Sequence, residues 1–214
     1  VTNGNISGKT CKDYCTTFWR HDIFNSTTRV TLALDSLYEK TAGAAGSGQI
    51  SWNGFEHNVL FLNDGNGSFE NVAFLMGMAH EYDSRGTLSE DLDGDGRAEL
   101  LVIQQNLDES FGSSQKLHLY RNNWPGDNNW LGVHLRGRPG VSPIGARIIV
   151  RYSGKTDLLP VVTGDSFNVQ HSNTKLFGLG KATAVESLEV RWPNGKISRL
   201  DQPSINQYHW VNPE

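Results

Sequence analysis

This sequence has no run of basic residues. Its 19 Lys and Arg are scattered among 23 Asp and Glu, for a formal net charge of -4. Without a basic stripe there is no electrostatic footprint for a phosphate backbone, so nucleic acid is excluded as the expected partner. Long apolar runs are missing too. No stretch approaches the roughly 20 apolar residues that a spanning helix requires, and the opening Val1-Thr2-Asn3-Gly4-Asn5 is not a signal peptide. The expectation is a chain that does not span a membrane and is either already processed or cut from a longer one. The 7 histidines are scattered, with no i, i+4 pair in a helical pattern as a zinc protease needs. His57 and His80 read as satisfied structural residues.

What is present is a turn-rich composition, with 23 Gly and 7 Pro and many Asn and Asp. Most apolar residues stand in short segments, which predicts an all-β fold. A chain of 214 residues can bury a sizeable core without help from a metal. One peripheral helix is expected in STTRVTLALDSLYEK, capped at Ser26 or Thr27. The expected strands are NVLFLN, NVAFLM, ELLVIQQ, KLHLYRN, WLGVHLRG, ARIIVRYSG, TDLLPVVTG, SLEVRWPNGKISRL and YHWVN. Asn194-Gly195 predicts a type I′ hairpin. The cluster RNNWPGDNN suggests a boundary near residue 127, dividing an N-terminal region, 1–127, from a C-terminal β unit, 128–214.

The densest chemistry lies in DLDGDGRAEL, residues 91–100. Calcium takes oxygen ligands from alternate positions of a tight loop, and Asp91, Asp93 and Asp95 fit positions 1, 3 and 5. Gly96 allows the turn, Arg97 supplies a backbone carbonyl, and Glu99 closes the cage with its side chain. Position 12 is Val102, and the residues after the loop are branched and apolar. The pattern is therefore a strand-flanked calcium loop and not an EF-hand, which needs a bidentate Glu there and flanking helices. The competing account is a solvated acidic turn, since Asp and Gly are what tight turns recruit.

VLFLNDGNGSF, DSRG, DLDGDGRAELLV and LHLYRN together resemble an FG-GAP or VCBS repeat, the blade unit of integrin-like β-propellers. The following marks, Gly145-Ala146-Arg147, Phe177 to Gly180 and Val190 to Gly195, resemble an ASPIC/UnbV domain. The combination resembles that of the cartilage acidic protein family and its bacterial relatives. It implies a partial propeller-blade-like sheet with a calcium loop, packed next to a C-terminal β-sandwich. It also implies a secreted or cell-surface interaction module without catalysis, whose partner is an extracellular protein or glycan. The alternative is a structural subunit that joins copies of itself, because an incomplete propeller leaves sheet edges to cover.

With such a loop in the chain, a local disulfide between Cys11 and Cys15 is the simplest reading of CKDYC; the rival is a metal site that includes His21. The spacing is not that of haem attachment. Asn5, Asn25 and Asn66 head formal glycosylation triplets. GDSF around Ser166, with His171 near in sequence, is the single hint of a hydrolase, and its place between β segments argues for a turn. Six tryptophans, Trp19, Trp52, Trp124, Trp130, Trp192 and Trp210, are read as core and contact residues and not as a sugar platform.

Overall fold

The computed structural model describes residues 57–80, 84–108, 112–164, 166–167 and 169–213. The expected helix, Cys11, Cys15, His21, Trp19 and Trp52 lie outside them. The described residues are all-β, with no helix among them, in four sheets. Their strands are β1 (Phe61–Asn63), β2 (Phe69–Asn71), β3 (Ser84–Glu90), β4 (Glu99–Asp108), β5 (Gly112–Tyr120) and β6 (Asn129–Leu135). There follow β7 (Arg147–Tyr152), β8 (Lys155–Pro160), β9 (Thr174–Gly180), β10 (Ser187–Arg191), β11 (Ile197–Asp201) and β12 (Tyr208–Val211).

The chain divides into two compact units, and the division does not follow the sequence order. Leu88–Leu100 groups with Leu119–Glu214, while the described residues up to Thr87 group with Leu101–His118. The sequence boundary near residue 127 would leave the acidic loop with the N-terminal region; by compactness that loop belongs with the C-terminal strands.

In this C-terminal unit two sheets, β11-β10-β7-β8 and β12-β6-β9, share one core. Leu131, Val133 and Leu135 alternate along β6, as do Ile148 and Val150 on β7 and Leu188 and Val190 on β10, so one face of each strand is buried. Period-two alternation on both sheets with a common apolar layer is the arrangement of a β-sandwich. Trp192 closes the layer, its indole Nε1 donating to Ser198 Oγ at 2.9 Å, and that hydroxyl donates to the Asn212 carbonyl at 2.8 Å. On the outer side Glu189 is buried and lies between Arg191 Nε, at 2.6 Å, and Arg151 Nη1, at 3.5 Å. The Arg191 hydrogen bond, foremost, holds its carboxyl below the ordinary value against the opposing pull of burial.

One turn differs from expectation. The β10-β11 hairpin forms where Asn194-Gly195 places it, but only Gly195 has positive φ, at 83°. Gly195 N–H donates to the Trp192 carbonyl at 2.9 Å, which makes Pro193 and Asn194 the central pair. Proline's fixed φ suits the first central position of a type I turn and excludes the mirror-image form, so this is a type I turn followed by a left-handed glycine. The two-residue hairpin with both central angles positive lies instead between β7 and β8, at Ser153 (48°) and Gly154 (73°).

In the other unit β1 and β2 form an antiparallel hairpin. NVAFLM, expected as a strand, leaves β2 after Asn71 and turns. Asn71 Oδ1 accepts the Ala73 N–H at 3.1 Å, and Met76 N–H donates to the Val72 carbonyl at 3.0 Å. An asparagine side chain that captures the backbone two residues on starts a turn in competition with the sheet, and left-handed Gly77 (φ 65°) ends it.

Candidate metal centre

The loop between β3 and β4 is shaped by two left-handed glycines, Gly94 (φ 78°) and Gly96 (φ 84°). Asp91 gathers it. Its Oδ1 accepts the N–H groups of Gly94 at 2.7 Å and Asp95 at 3.2 Å, and its Oδ2 accepts that of Gly96 at 2.8 Å. A fourth donor comes from β12, where the Tyr208 hydroxyl donates to Asp91 Oδ2 at 2.7 Å. Burial, first, and the Asp91 hydrogen bond push the Tyr208 phenol well above its ordinary pKa, so it is a donor at any physiological pH.

Glu99, at the start of β4, is buried and reaches back. Its Oε2 accepts the Leu92 N–H at 2.9 Å and its Oε1 the Asn122 N–H at 3.4 Å, while Asn122 Nδ2 donates to the Ala98 carbonyl at 3.1 Å. Carboxylate oxygens of Asp91, Asp93 and Glu99 come within 4.8 Å of one another. Three anionic groups at that separation repel, and Arg121, whose Nη2 lies 2.8 Å from Asp93 Oδ2, offsets part of the charge from an exposed position.

Asp95 is turned elsewhere. Its Oδ2 accepts Arg97 Nη2 at 2.6 Å and Nε at 3.1 Å, and its Oδ1 accepts the Arg97 N–H at 2.9 Å. Desolvation, the largest influence on this carboxyl, raises its pKa, but the Arg97 hydrogen bonds and the Arg97 and Arg121 charges together bring it below the ordinary value. Of the five loop positions expected to face a cation, the structure brings together Asp91, Asp93 and Glu99. It pairs Asp95 with Arg97 and engages Arg97 through its backbone N–H and guanidinium. The convergent donors are all carboxylate oxygens, the hard set that calcium takes, and they include no nitrogen or sulfur of the kind zinc favours.

The loop rests on an aromatic surface made by the outer face of the β12-β6-β9 sheet. β12 pairs in parallel with β6, Tyr208 opposite Gly132 and Trp210 opposite His134. A β-carbon on Gly96 would fall 2.1 Å from Trp130 Nε1, so the loop touches the indole with its bare backbone. The ring centroid of Tyr208 is 5.1 Å from that of Trp130 and 4.5 Å from that of His134; His134 also lies 4.5 Å from Trp210. His134 Nδ1 is 2.7 Å from Thr174 Oγ1. Its pKa is lowered by burial, with the Glu90 charge pulling the other way.

Beside the loop lies a cleft of about 230 Å³ whose walls include Glu90, Asp91, His171, Lys175 and Tyr208. His171 Nε2 accepts the Ser89 N–H at 3.4 Å, and Ser166 forms an isolated bridge with Val169 in the turn after β8. Sequence reasoning missed Tyr208, Trp130, Arg121 and Asn122 as supports of the loop. Their only signal is tertiary, since they come from strands and turns distant in the chain.

Residues 138–214 match the family ASPIC and UnbV. Over 126 residues the chain is 36% identical to Cartilage acidic protein 1 of Homo sapiens, 35% to that of Mus musculus and 36% to that of Xenopus tropicalis. The aligned stretch is 56% of this chain and 18% of each relative. This chain therefore spans less than a fifth of the length of the curated relatives that it matches. The ASPIC and UnbV match begins after β6, yet β6 is the central strand of the β12-β6-β9 sheet and gives Leu131, Val133 and Leu135 to the core. The fold that carries the ASPIC and UnbV residues thus includes strand residues upstream of the match. No helix among the described residues is long and apolar enough to cross a membrane.

Proposed function

We propose that this chain is a calcium-stabilised interaction module of a secreted or cell-surface protein, acting by contact and without catalysis. The observation that carries the reading is the convergence of Asp91, Asp93 and Glu99 on a loop turned by two left-handed glycines. The resemblance of the loop and its flanks to an FG-GAP or VCBS repeat supports it. So does similarity to Cartilage acidic protein 1, whose name places it in cartilage. Calcium would be held by those three carboxylates, with Asp95 and the Arg97 carbonyl turned inward. Bound there, it would neutralise the cluster and pin the start of β4 to the end of β3. A structural ion of this type leaves little room for a substrate, because six to eight oxygens fill its shell. The partner is read as an extracellular protein or glycan.

Any ligand that binds only the folded state raises stability by mass action. The melting temperature of the whole chain should therefore rise in millimolar calcium relative to chelator, and Asp93→Ala should abolish the difference. Equal wild-type values, with no heat of calcium binding by calorimetry, would overturn the reading. Size-exclusion chromatography under both conditions separates a monomeric module from self-assembly. A calcium-dependent shift to large species would favour the structural-subunit alternative.

A further inference from the structure

We infer that Tyr208 is a positioning residue for the metal loop, so that the loop's cation affinity is set by the β-sandwich on which it stands. The inference rests on the calcium reading above and deepens it. Asp91 is the residue on which the loop is built, and two of its four donors act on Oδ2: the Gly96 N–H within the loop and the Tyr208 hydroxyl from β12. The first is local and would follow the loop wherever it went. The second ties Asp91 to a strand more than a hundred residues later in the chain.

Two contacts make that tie rigid. Tyr208 crosses β6 over Gly132, where a β-carbon would lie 2.1 Å from ring atom Cδ1, and it is fixed there by parallel pairing of the two strands. Gly96, whose backbone donates to the same Asp91 oxygen, presses on Trp130 of β6, so hydroxyl and loop are referenced to one strand. Trp130 and Tyr208 are in turn in ring contact at 5.1 Å. With Oδ2 held from both sides, the carboxylate cannot rotate freely, and a cation approaching Asp93 and Glu99 meets a ligand already oriented. Groups that orient a metal ligand from behind typically contribute roughly 10–100-fold in affinity.

The test compares wild type with Tyr208→Phe, which keeps the ring over Gly132 and removes only the hydroxyl. Calcium affinity is measured by calorimetry. Terbium luminescence, sensitised by Trp130 against the loop, reports the same site by a spectroscopic route. Tyr208→Phe should retain the wild-type far-ultraviolet circular dichroism yet bind both cations about tenfold more weakly, equivalent to about 1.4 kcal/mol. Gly132→Ala, which alters no loop residue and no donor, should weaken binding in the same direction by displacing the ring. Cation uptake by wild type that Tyr208→Phe leaves unchanged overturns this inference alone. No uptake of either cation by wild type overturns the calcium reading and this inference with it.

Discussion

Gly132 lies directly beneath the ring of Tyr208, with room for a hydrogen and none for a methyl group: a β-carbon there would come within 2.1 Å of the ring. The glycine is in a strand and keeps ordinary negative φ, so its reason is close approach and not backbone conformation. Through this one contact a position on β6 governs where the Tyr208 hydroxyl meets Asp91.

Gly132→Ala should therefore destabilise the chain by about 1–3 kcal/mol, the ordinary cost of forcing an added carbon into a filled space. Thermal unfolding followed by circular dichroism in chelator measures it. Alanine tolerated with an unchanged midpoint would mean that the ring moves aside freely.

Ser198→Ala should cost a similar amount for a different reason. The hydroxyl accepts from Trp192 Nε1 and donates to the Asn212 carbonyl. Its removal leaves a buried donor and an acceptor without their partner, a loss of about 1–3 kcal/mol. Tryptophan fluorescence during denaturant unfolding should show a lower midpoint and unchanged slope. Ser198→Thr, which retains the hydroxyl, should recover part of the loss.

His134 predicts an acid-side loss of stability. Its folded pKa lies below the ordinary 6.5, chiefly through burial. A depressed histidine resists the proton that the unfolded chain accepts, so its contribution is intact above about pH 6.5 and declines as pH falls below it, until the folded group also titrates. His134→Phe keeps an aromatic ring between Tyr208 and Trp210 and removes the titration. The fall in melting temperature between about pH 7.5 and about pH 5.5 should be smaller in this variant than in wild type. Parallel curves would assign the acid sensitivity to other groups.

Cys11 and Cys15 should be joined to each other in protein taken from its native compartment. Mass spectrometry of a non-reduced digest should find the two peptides linked. Free thiols in such material would count against secretion and return the pair to a metal-binding role with His21.

How far the architecture was legible depended on how local its causes are. Most strands of the sandwich were readable from alternation, as in WLGVHLRG and SLEVR, because a strand with one buried face declares itself within a few residues, but β9, Thr174–Gly180, was not among those expected. β3, Ser-Arg-Gly-Thr-Leu-Ser-Glu, was not, since it carries a single large apolar residue. NVAFLM misled in the opposite sense: its apolar content suggested a strand, but Phe74 and Leu75 are exposed in a turn begun by Asn71. The hairpin at Asn194-Gly195 was placed correctly and typed wrongly, because Pro193 decided which pair of residues became central.

By itself the sequence determined the all-β character of the described residues, the acidic loop with its glycines, and the likeness of the C-terminal residues to ASPIC and UnbV. The first two follow from composition, period or spacing within a short window, and the third rests on three short motifs that resemble that family's. Only the tertiary structure decided that Asp95 faces Arg97 while Asp91, Asp93 and Glu99 converge. It alone assigned the loop to the compact unit of the C-terminal strands and brought the Tyr208 hydroxyl to Asp91 Oδ2. These are choices between hydrogen-bond partners of nearly equal strength, and what settles them is which backbone the folded sheets bring within about 3 Å of one another.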